Sequence, residues 1–255
     1  MMQKFFLSVF AVLSLLACNS HASVLFAGAD VDYFTQADGL STDLSGSDQQ
    51  LTLTAWVNLD VSESNGIISK ENVTNNNRQY GMIENSSDVL TCPVSSAGTA
   101  SVTGTGTTVL DVGTWYHLGC VYNDVDIRPY VDGVLDGTPT AHTAGIFNGS
   151  APFRIGERSG VANPFDGEIE DVCVCNTALT AEQMLQIATS KIKGMCREVC
   201  GSSLVLYCSL QQCPVGSDCT QDMNCSPGSV MTDVGTPVGS GDTNLNLRPT
   251  MVVGQ

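Results

Sequence analysis

Positive charge is what this sequence has least of. Its 255 residues carry 10 Lys and Arg against 26 Asp and Glu, a formal net charge of −16. So acidic a chain repels phosphate backbones and anionic lipid, which excludes nucleic acid and acidic membranes as partners. Histidine is scarce too. Beyond residue 22 His117 and His142 are the only ones, and neither has metal-ligand spacing. No C-x2-C pair is present, which argues against a zinc site, and no G-x-S-x-G nucleophile motif is present either. The uncharged run Phe5–Ala17 is too short to span a bilayer.

That run does fit a secretory signal: Lys4, then apolar residues, then small residues at the exit. Ser20-His21-Ala22 suits cleavage after residue 22. Leu15-Leu16-Ala17-Cys18 suits lipoprotein processing, which would anchor the chain through Cys18. Either route predicts a secreted or cell-surface protein. Cysteine usage agrees with an oxidising space. Ten cysteines remain after Cys18: Cys92, Cys120, Cys173, Cys175, Cys196, Cys200, Cys208, Cys213, Cys219 and Cys225. An even number suits disulfides, with connectivity left open.

The segment Gly113–Gly137 organises the rest. It reads as a strand at Trp115–Tyr122, a turn at Asn123-Asp124, a strand at Ile127–Val131, and an Asp132-Gly133 hairpin. Strands this close together must be antiparallel. Before it come strand-like stretches at Val24–Tyr33, Leu51–Leu59, Gly66–Lys70, Tyr80–Glu84 and Val89–Val94. The Thr/Gly-rich Thr99–Thr108 is a loop or an edge strand. After it come Phe153–Glu157 and Asp166–Cys175. Leu51–Leu59 alternates apolar and polar residues, the period of a half-buried strand. Trp56 and Trp115 fall in strand patterns and are expected in the core.

One helix follows. Thr180 and Gln183 form a capping box, and Leu179 with Met184 forms a staple. Met184, Leu185, Ala188 and Ile192 define its apolar face, Lys191 and Lys193 suit its negative end, and Gly194 can end it. Many short strands with one late helix predict an all-β, two-sheet antiparallel sandwich. Residues 23–193 are assigned to it, 194–225 to a small disulfide-rich knob, and 226–255, rich in Gly, Pro, Ser, Thr and Asn, to a disordered tail.

Residues 24–190 resemble the LamG-like jelly-roll branch of the concanavalin A-like lectin/glucanase superfamily. The pieces that carry the resemblance occur in order: A-D-V-D-Y, L-T-L-T-A-W-V-N, G-I-I-S-K, Y-G-M, G-T-W-Y-H-L-G-C-V-Y-N, R-P-Y-V-D-G-V-L, P-F-R-I-G, and F-D-G-E-I-E-D-V before N-T-A-L-T-A-E-Q. The resemblance implies a jelly roll with adjacent terminal strands, and a binding or structural module rather than an enzyme. Glu170-Asp171 reverses the family's usual Asp-Glu order. Pro129 inside a strand must face an edge or a bulge.

Glu168 and Glu170 share a strand face, as paired catalytic carboxylates must. Cys173, however, stands where the E-x-D-x-x-E hydrolase pattern needs its last acid, so no catalytic residue is assigned. Asp30 and Asp32 share a face of the first strand, and the resemblance sets that strand beside Asp171. Calcium is therefore the expected cofactor, held by Asp30, Asp32 and Asp171. Glycan binding asks for an aromatic surface with polar hydrogen-bonding groups, for which Tyr33, Asn75, Asn76, Asn77, Arg78 and Tyr80 are the candidates. The partner expected is an extracellular glycan or a surface protein. The leading reading is a non-catalytic recognition module. The alternatives are a structural or adhesive protein assembled by protein contacts and disulfides, and a divergent glycoside hydrolase.

Overall fold

The computed structural model describes residues 24–27, 33–39, 42–64, 66–160, 164–190, 192–210, 223–225 and 229–234. Signal-peptide and lipid-anchor expectations, including Cys18, lie outside them. The elements in chain order begin with β1 (Val24–Ala27), β2 (Tyr33–Gln36), β3 (Leu51–Leu59), β4 (Gly66–Asn72), β5 (Asn77–Glu84), β6 (Val89–Val94) and β7 (Val102–Val109). Next are β8 (Trp115–Tyr122), β9 (Asp126–Val131), β10 (Val134–Leu135), β11 (Thr140–Ala141), β12 (Phe153–Ile155) and β13 (Asp166–Cys175). The chain continues through α1 (Ala181–Thr189), α2 (Met195–Cys200), β14 (Leu204–Cys208), β15 (Met223–Cys225) and β16 (Ser229–Val234).

Two antiparallel sheets result. The first runs β1-β13-β3-β8-β9-β10, with β11 also on β9 and β14 also on β13. The second runs β15-β16-β2-β12-β4-β5-β6-β7. The meander expected at Gly113–Gly137 is β8-β9-β10. The Thr/Gly-rich stretch is β7, an edge strand. Pro129 lies where the partner of β9 changes from β10 to β11, and its carbonyl accepts the Asp136 amide at 2.9 Å. A missing N–H costs no ladder bond there.

Period-two alternation sets the core. Leu51, Leu53, Ala55, Val57 and Leu59 of β3 join Leu118 and Tyr122 of β8 and Ile68, Met82 and Phe153 of the second sheet. Cys92 of β6 is bonded to Cys120 of β8, so a disulfide crosses the core between the sheets. In β13 the alternation slips by one. Ile169 faces the core, a register shift falls between Glu170 and Cys173, and Asp171 takes the left-handed φ of 55°. That bulge restores the inward aim for Val172 and Val174 and turns Cys173 and Cys175 to the outer face.

The outer face carries a second apolar cluster. Val121, Tyr130, Cys173 and Cys175 pack there beneath Leu179, Met184, Ile187, Cys196 and Cys200. Cys173 is bonded to Cys196 and Cys175 to Cys200. Same-face neighbours on one strand thus hold two different residues of α2. The capping box of α1 is present, but the helix ends at Ser190, short of the lysines, and Gly194 instead begins α2. Its buried residues are Met184 and Ile187, while Leu185 and Ile192 are exposed. The i, i+3 pair, continued by Leu179, meets the sheet better than the broader face expected.

The segment 194–225 is not wholly set apart. β14 pairs with β13 along Val172–Cys175, and Val205, Leu206, Cys208 and Leu210 enter the main core. β1 pairs with the other half of that edge, at Asp166–Ile169. Within the segment expected to be disordered, Ser229–Val234 forms β16 and pairs with β2. Cys208 is disulfide-bonded. Cys213 and Cys219 lie outside the described residues, as does the side chain of Cys225.

Candidate functional site

Three segments line an open surface cavity of about 430 Å³. Asn75, Asn76 and Asn77 come from the β4–β5 turn, Phe147, Asn148, Gly149 and Ser150 from the segment before β12, and Asp38 from the turn after β2. The sequence dictates these loops locally. Asn72 Oδ1 accepts from Thr74 Oγ1 at 2.9 Å and from the Asn75 amide at 3.2 Å, an Asx turn that leads the chain out of β4. Asn76 takes a φ of 51°, which asparagine tolerates better than most residues.

Asn77 latches the turn to the opposite wall. Its carboxamide accepts the Ser150 amide at 3.0 Å and donates to Ser150 Oγ at 3.0 Å. Phe147 is fixed through its backbone: its amide donates to Ser95 O at 2.7 Å, and its carbonyl accepts from Gln79 Nε2 at 2.9 Å. Gly98 makes that close approach feasible. A Cβ there would stand 2.6 Å from Asn76 O and 2.6 Å from Phe147 Cε1.

The wall therefore has fixed and free parts. Asn75, Asn76 and Asn148 are exposed, and their carboxamides have no partner among the described residues. Phe147 is half-buried and offers part of its ring. Among the described residues, Asp38 is the single charged lining residue. Its Oδ1 accepts from Lys70 Nζ at 2.7 Å, and the fully buried ammonium also donates to Ala151 O at 2.9 Å.

Of the residues chosen from sequence, Asn75, Asn76 and Asn77 come together here. Arg78 does not join them: its guanidinium donates to Thr99 O at 2.6 Å. Tyr80 is a core residue, 1% exposed, with its hydroxyl donating to Thr42 O at 2.5 Å. Burial, helped by the Asp43 charge, pushes its phenol well above the usual range. It cannot serve as a surface for sugar. Tyr33 lies on β2 beneath the Arg154 guanidinium, 4.4 Å from its ring centre, and does not line the cavity. Asp38, Phe147, Asn148 and Ser150 were not foreseen. The N-G-S run at Asn148 is a turn signal that could have drawn attention to three of them.

Two acids of β13, Glu170 and Asp171, are committed to structure. Glu170 is 3% exposed and pairs with Lys193 Nζ at 2.9 Å. Asp171 Oδ1 accepts from Tyr207 Oη at 2.6 Å, and Asp171 Oδ2 from the Gly194 amide at 2.9 Å. Burial, then the bond to Asp171, raises the Tyr207 phenol, so it stays a donor. Asp171 joins α2 and β14 to the bulge. Asp30 and Asp32 lie outside the described residues. Among those described, no group of three or more His, Cys, Asp or Glu side chains is placed to hold a metal ion. The Asp124-x-Asp126 pair is also engaged: Asp124 accepts from Tyr122 Oη at 3.1 Å, and Asp126 pairs with Arg128 at 2.6 Å.

The tryptophans differ from expectation. The alternation that aims Ala55 and Val57 inward sends Trp56 to the outer face, half-buried, where it meets His117 at a ring distance of 5.3 Å. Trp115 is half-buried as well. Burial holds the His117 imidazole down to about 3, so it is neutral at physiological pH.

Two stacked antiparallel sheets, with the first strand and β13 adjacent and the polar apparatus carried on loops, define a lectin-type jelly roll. The chain belongs to the concanavalin A-like lectin/glucanases superfamily: the laminin G-type model of that family matches residues 31–184. No curated protein matches the chain. Among solved structures, it is similar to a candidate carbohydrate binding protein from Bacteroides ovatus at 18% identity and a TM-score of 0.60. That match covers 84% of this chain and 58% of the Bacteroides protein, so the chain spans less than two thirds of it. It is also similar to the CBM40 of the Ruminococcus gnavus IT-sialidase, at 15% identity and a TM-score of 0.53, over 66% of this chain and 97% of that one. At such identities the likeness shows the fold.

Proposed function

We propose that this protein is a secreted or surface-attached, non-catalytic glycan-binding module, and that the loop cavity is its binding site. One observation carries the reading: an open surface cavity of about 430 Å³ whose lining includes exposed carboxamides without partners among the described residues, a carboxylate and part of an aromatic ring. Sugars present hydroxyls that both donate and accept, and carboxamides answer both. Their C–H faces pack against an aromatic edge or face. The similar structures from Bacteroides ovatus and Ruminococcus gnavus are, respectively, a candidate carbohydrate binding protein and a CBM40, which supports the same reading.

The non-catalytic part rests on β13. A retaining hydrolase needs two carboxyls about 5 Å apart and free to act, one as acid and one as nucleophile. Glu170 is tied to Lys193 and Asp171 to Tyr207 and Gly194. Calcium enters this proposal only through Asp30 and Asp32. A melting temperature that rises with calcium and falls back with EDTA is its test.

The deciding experiment is glycan-array binding by the full chain, repeated with Asn76→Ala and Phe147→Ala, alongside a reducing-sugar assay. Retention of a sugar class, weakened at least tenfold by both substitutions and without sugar release, is the expected result. Sugar release would move the protein among the hydrolases. Concentration-dependent multimers without glycan retention would favour assembly through protein contacts.

A further inference from the structure

We propose that the cavity selects neutral sugars over acidic ones, with Asp38 setting that preference and Lys70 positioning it. The inference rests on the glycan reading above and names the class of glycan. It follows from how the charges near the cavity are used. Asp38 is the single charged residue of the lining among the described residues. Its counter-ion cannot meet a ligand, because Lys70 is fully buried and reaches out only to Asp38 Oδ1 and Ala151 O, at 2.7 and 2.9 Å.

Of the nearby cations, Arg154 is ion-paired with Glu157 and Arg158 with Glu71, whereas Arg78 keeps its charge and is turned to a neutral carbonyl, Thr99 O, outside the lining. None of the three lines the cavity. A ligand therefore meets one carboxylate, several carboxamides and an aromatic edge. Asp38 Oδ2 is an acceptor-only atom with no partner among the described residues, suited to the O–H donors of a sugar. A ligand carboxylate or sulfate has no such donor. It would arrive beside a like charge with no cation among the described lining residues to receive it. At roughly 5 Å and an effective dielectric constant of about 20, the Asp38 carboxylate alone repels a ligand carboxylate by about 3 kcal/mol; the Lys70 ammonium paired with it cancels about two thirds of that, which leaves a several-fold penalty in Kd.

The experiment compares Kd for matched oligosaccharides that differ in the carboxylate alone, such as trimers of galactose and of galacturonic acid, on the full chain. The neutral trimer should bind several-fold more tightly. Asp38→Asn should shrink that ratio toward one. Because this substitution leaves the Lys70 ammonium buried without its counter-charge and can cost folding, Asn75→Lys provides a second arm. Asn75 is exposed, and an added ammonium at the mouth should likewise narrow the ratio several-fold or invert it. Equal or tighter binding of the acidic trimer by the unmodified chain overturns the selectivity and leaves the glycan reading standing. A ratio that Asn75→Lys does not move overturns the cavity as its origin. If no neutral or acidic glycan is retained at any concentration, the glycan reading falls and the selectivity falls with it.

Discussion

The outer face of the first sheet and the loop cavity beside the second both gather polar and sulfur-bearing residues on a β framework, but they treat them in opposite ways. Beneath α1 and α2 every group singled out is consumed. Cys173 and Cys175 are bonded, Glu170 is paired, and Asp171 accepts from Tyr207 and Gly194. Around the cavity, backbone and latch bonds hold the loops while three exposed carboxamides stay without protein partners. Residue types that look functional in sequence can therefore serve as fasteners. What distinguishes a site is polar capacity left unspent in a place already held rigid.

The sharpest way to break this comparison is to remove the fastened region. A chain ended at Lys193 loses α2, β14 and the partners of Cys173 and Cys175. Val205, Leu206 and Leu210 leave the core at about 1.5–3 kcal/mol each, and each lost staple removes roughly 3 kcal/mol. Together these approach the whole stability of an ordinary domain, about 5–15 kcal/mol. The shortened chain, with both orphaned cysteines changed to Ser, should show no cooperative thermal transition by circular dichroism. A melt within a few degrees of the full chain would mean that the C-terminal elements are an appendage after all.

A gentler version opens one staple. Cys173→Ser with Cys196→Ser should lower stability by about 2 kcal/mol, less than the full loop-closure term because the Cys175–Cys200 bond still closes nearly the same loop. Urea titration reads the loss. Glycan affinity should not change, since no residue of the cavity touches this region. A parallel loss of binding would show the two regions to be coupled.

How far the sequence exposed each region follows from what sequence can encode. Alternation in Leu51–Leu59, the Asp132-Gly133 turn and the Thr180–Gln183 capping box all act within a few residues, and each appears where expected. The bulge at Asp171 breaks the alternation through a left-handed residue that no pattern announces. β14 reads as part of a Cys-rich stretch until its pairing with β13 is seen. Tyr80 looked like a surface for sugar because aromatics in strands carry no mark of which sheet face they occupy. The Asn75–Asn77 run was legible as a polar loop. Asp38, Phe147 and Asn148 were not, because Asp38 lies 37 positions before that turn and Phe147 lies 70 after it, and only the fold brings them together.

Between the two regions lies Asp136, which fastens the β9–β10 hairpin of the first sheet to the β7 edge of the second. Its carboxylate accepts from the amides and hydroxyls of Thr107 and Thr108 at 2.8–3.2 Å. Burial alone would raise its pKa, but those hydrogen bonds outweigh it and hold the carboxyl below the ordinary range. A depressed carboxyl stabilises the fold above its unfolded pKa, near 3.9, and that contribution is lost as pH falls through the folded value. Asp136→Ala should cost about 2–3 kcal/mol at pH 7. Its stability should also fall less steeply than that of the unmodified chain below about pH 4, as read by denaturant titration at each pH. Equal slopes would remove Asp136 as the acid-sensitive clasp.

The smallest effect on stability should come with the largest effect on binding, and two asparagines of the same cavity separate the two. Asn77 spends its carboxamide on the Ser150 amide and hydroxyl, so Asn77→Ala breaks a latch between loops. It should cost about 1–2 kcal/mol and weaken glycan binding because the wall loosens. Asn148 is exposed and has no partner among the described residues, so Asn148→Ala should change stability by less than about 0.5 kcal/mol. Its loss should appear only in affinity, at least tenfold, if its carboxamide meets sugar hydroxyls. Calorimetric melts and binding isotherms on both variants give four numbers, and the reading requires Asn148→Ala to move one of its two while Asn77→Ala moves both. If Asn148→Ala leaves affinity untouched while Asn77→Ala abolishes it, the sugar is held by the shape of the cavity rather than by its free carboxamides. The distinction between spent and unspent polar groups would then fail at the place where it was drawn.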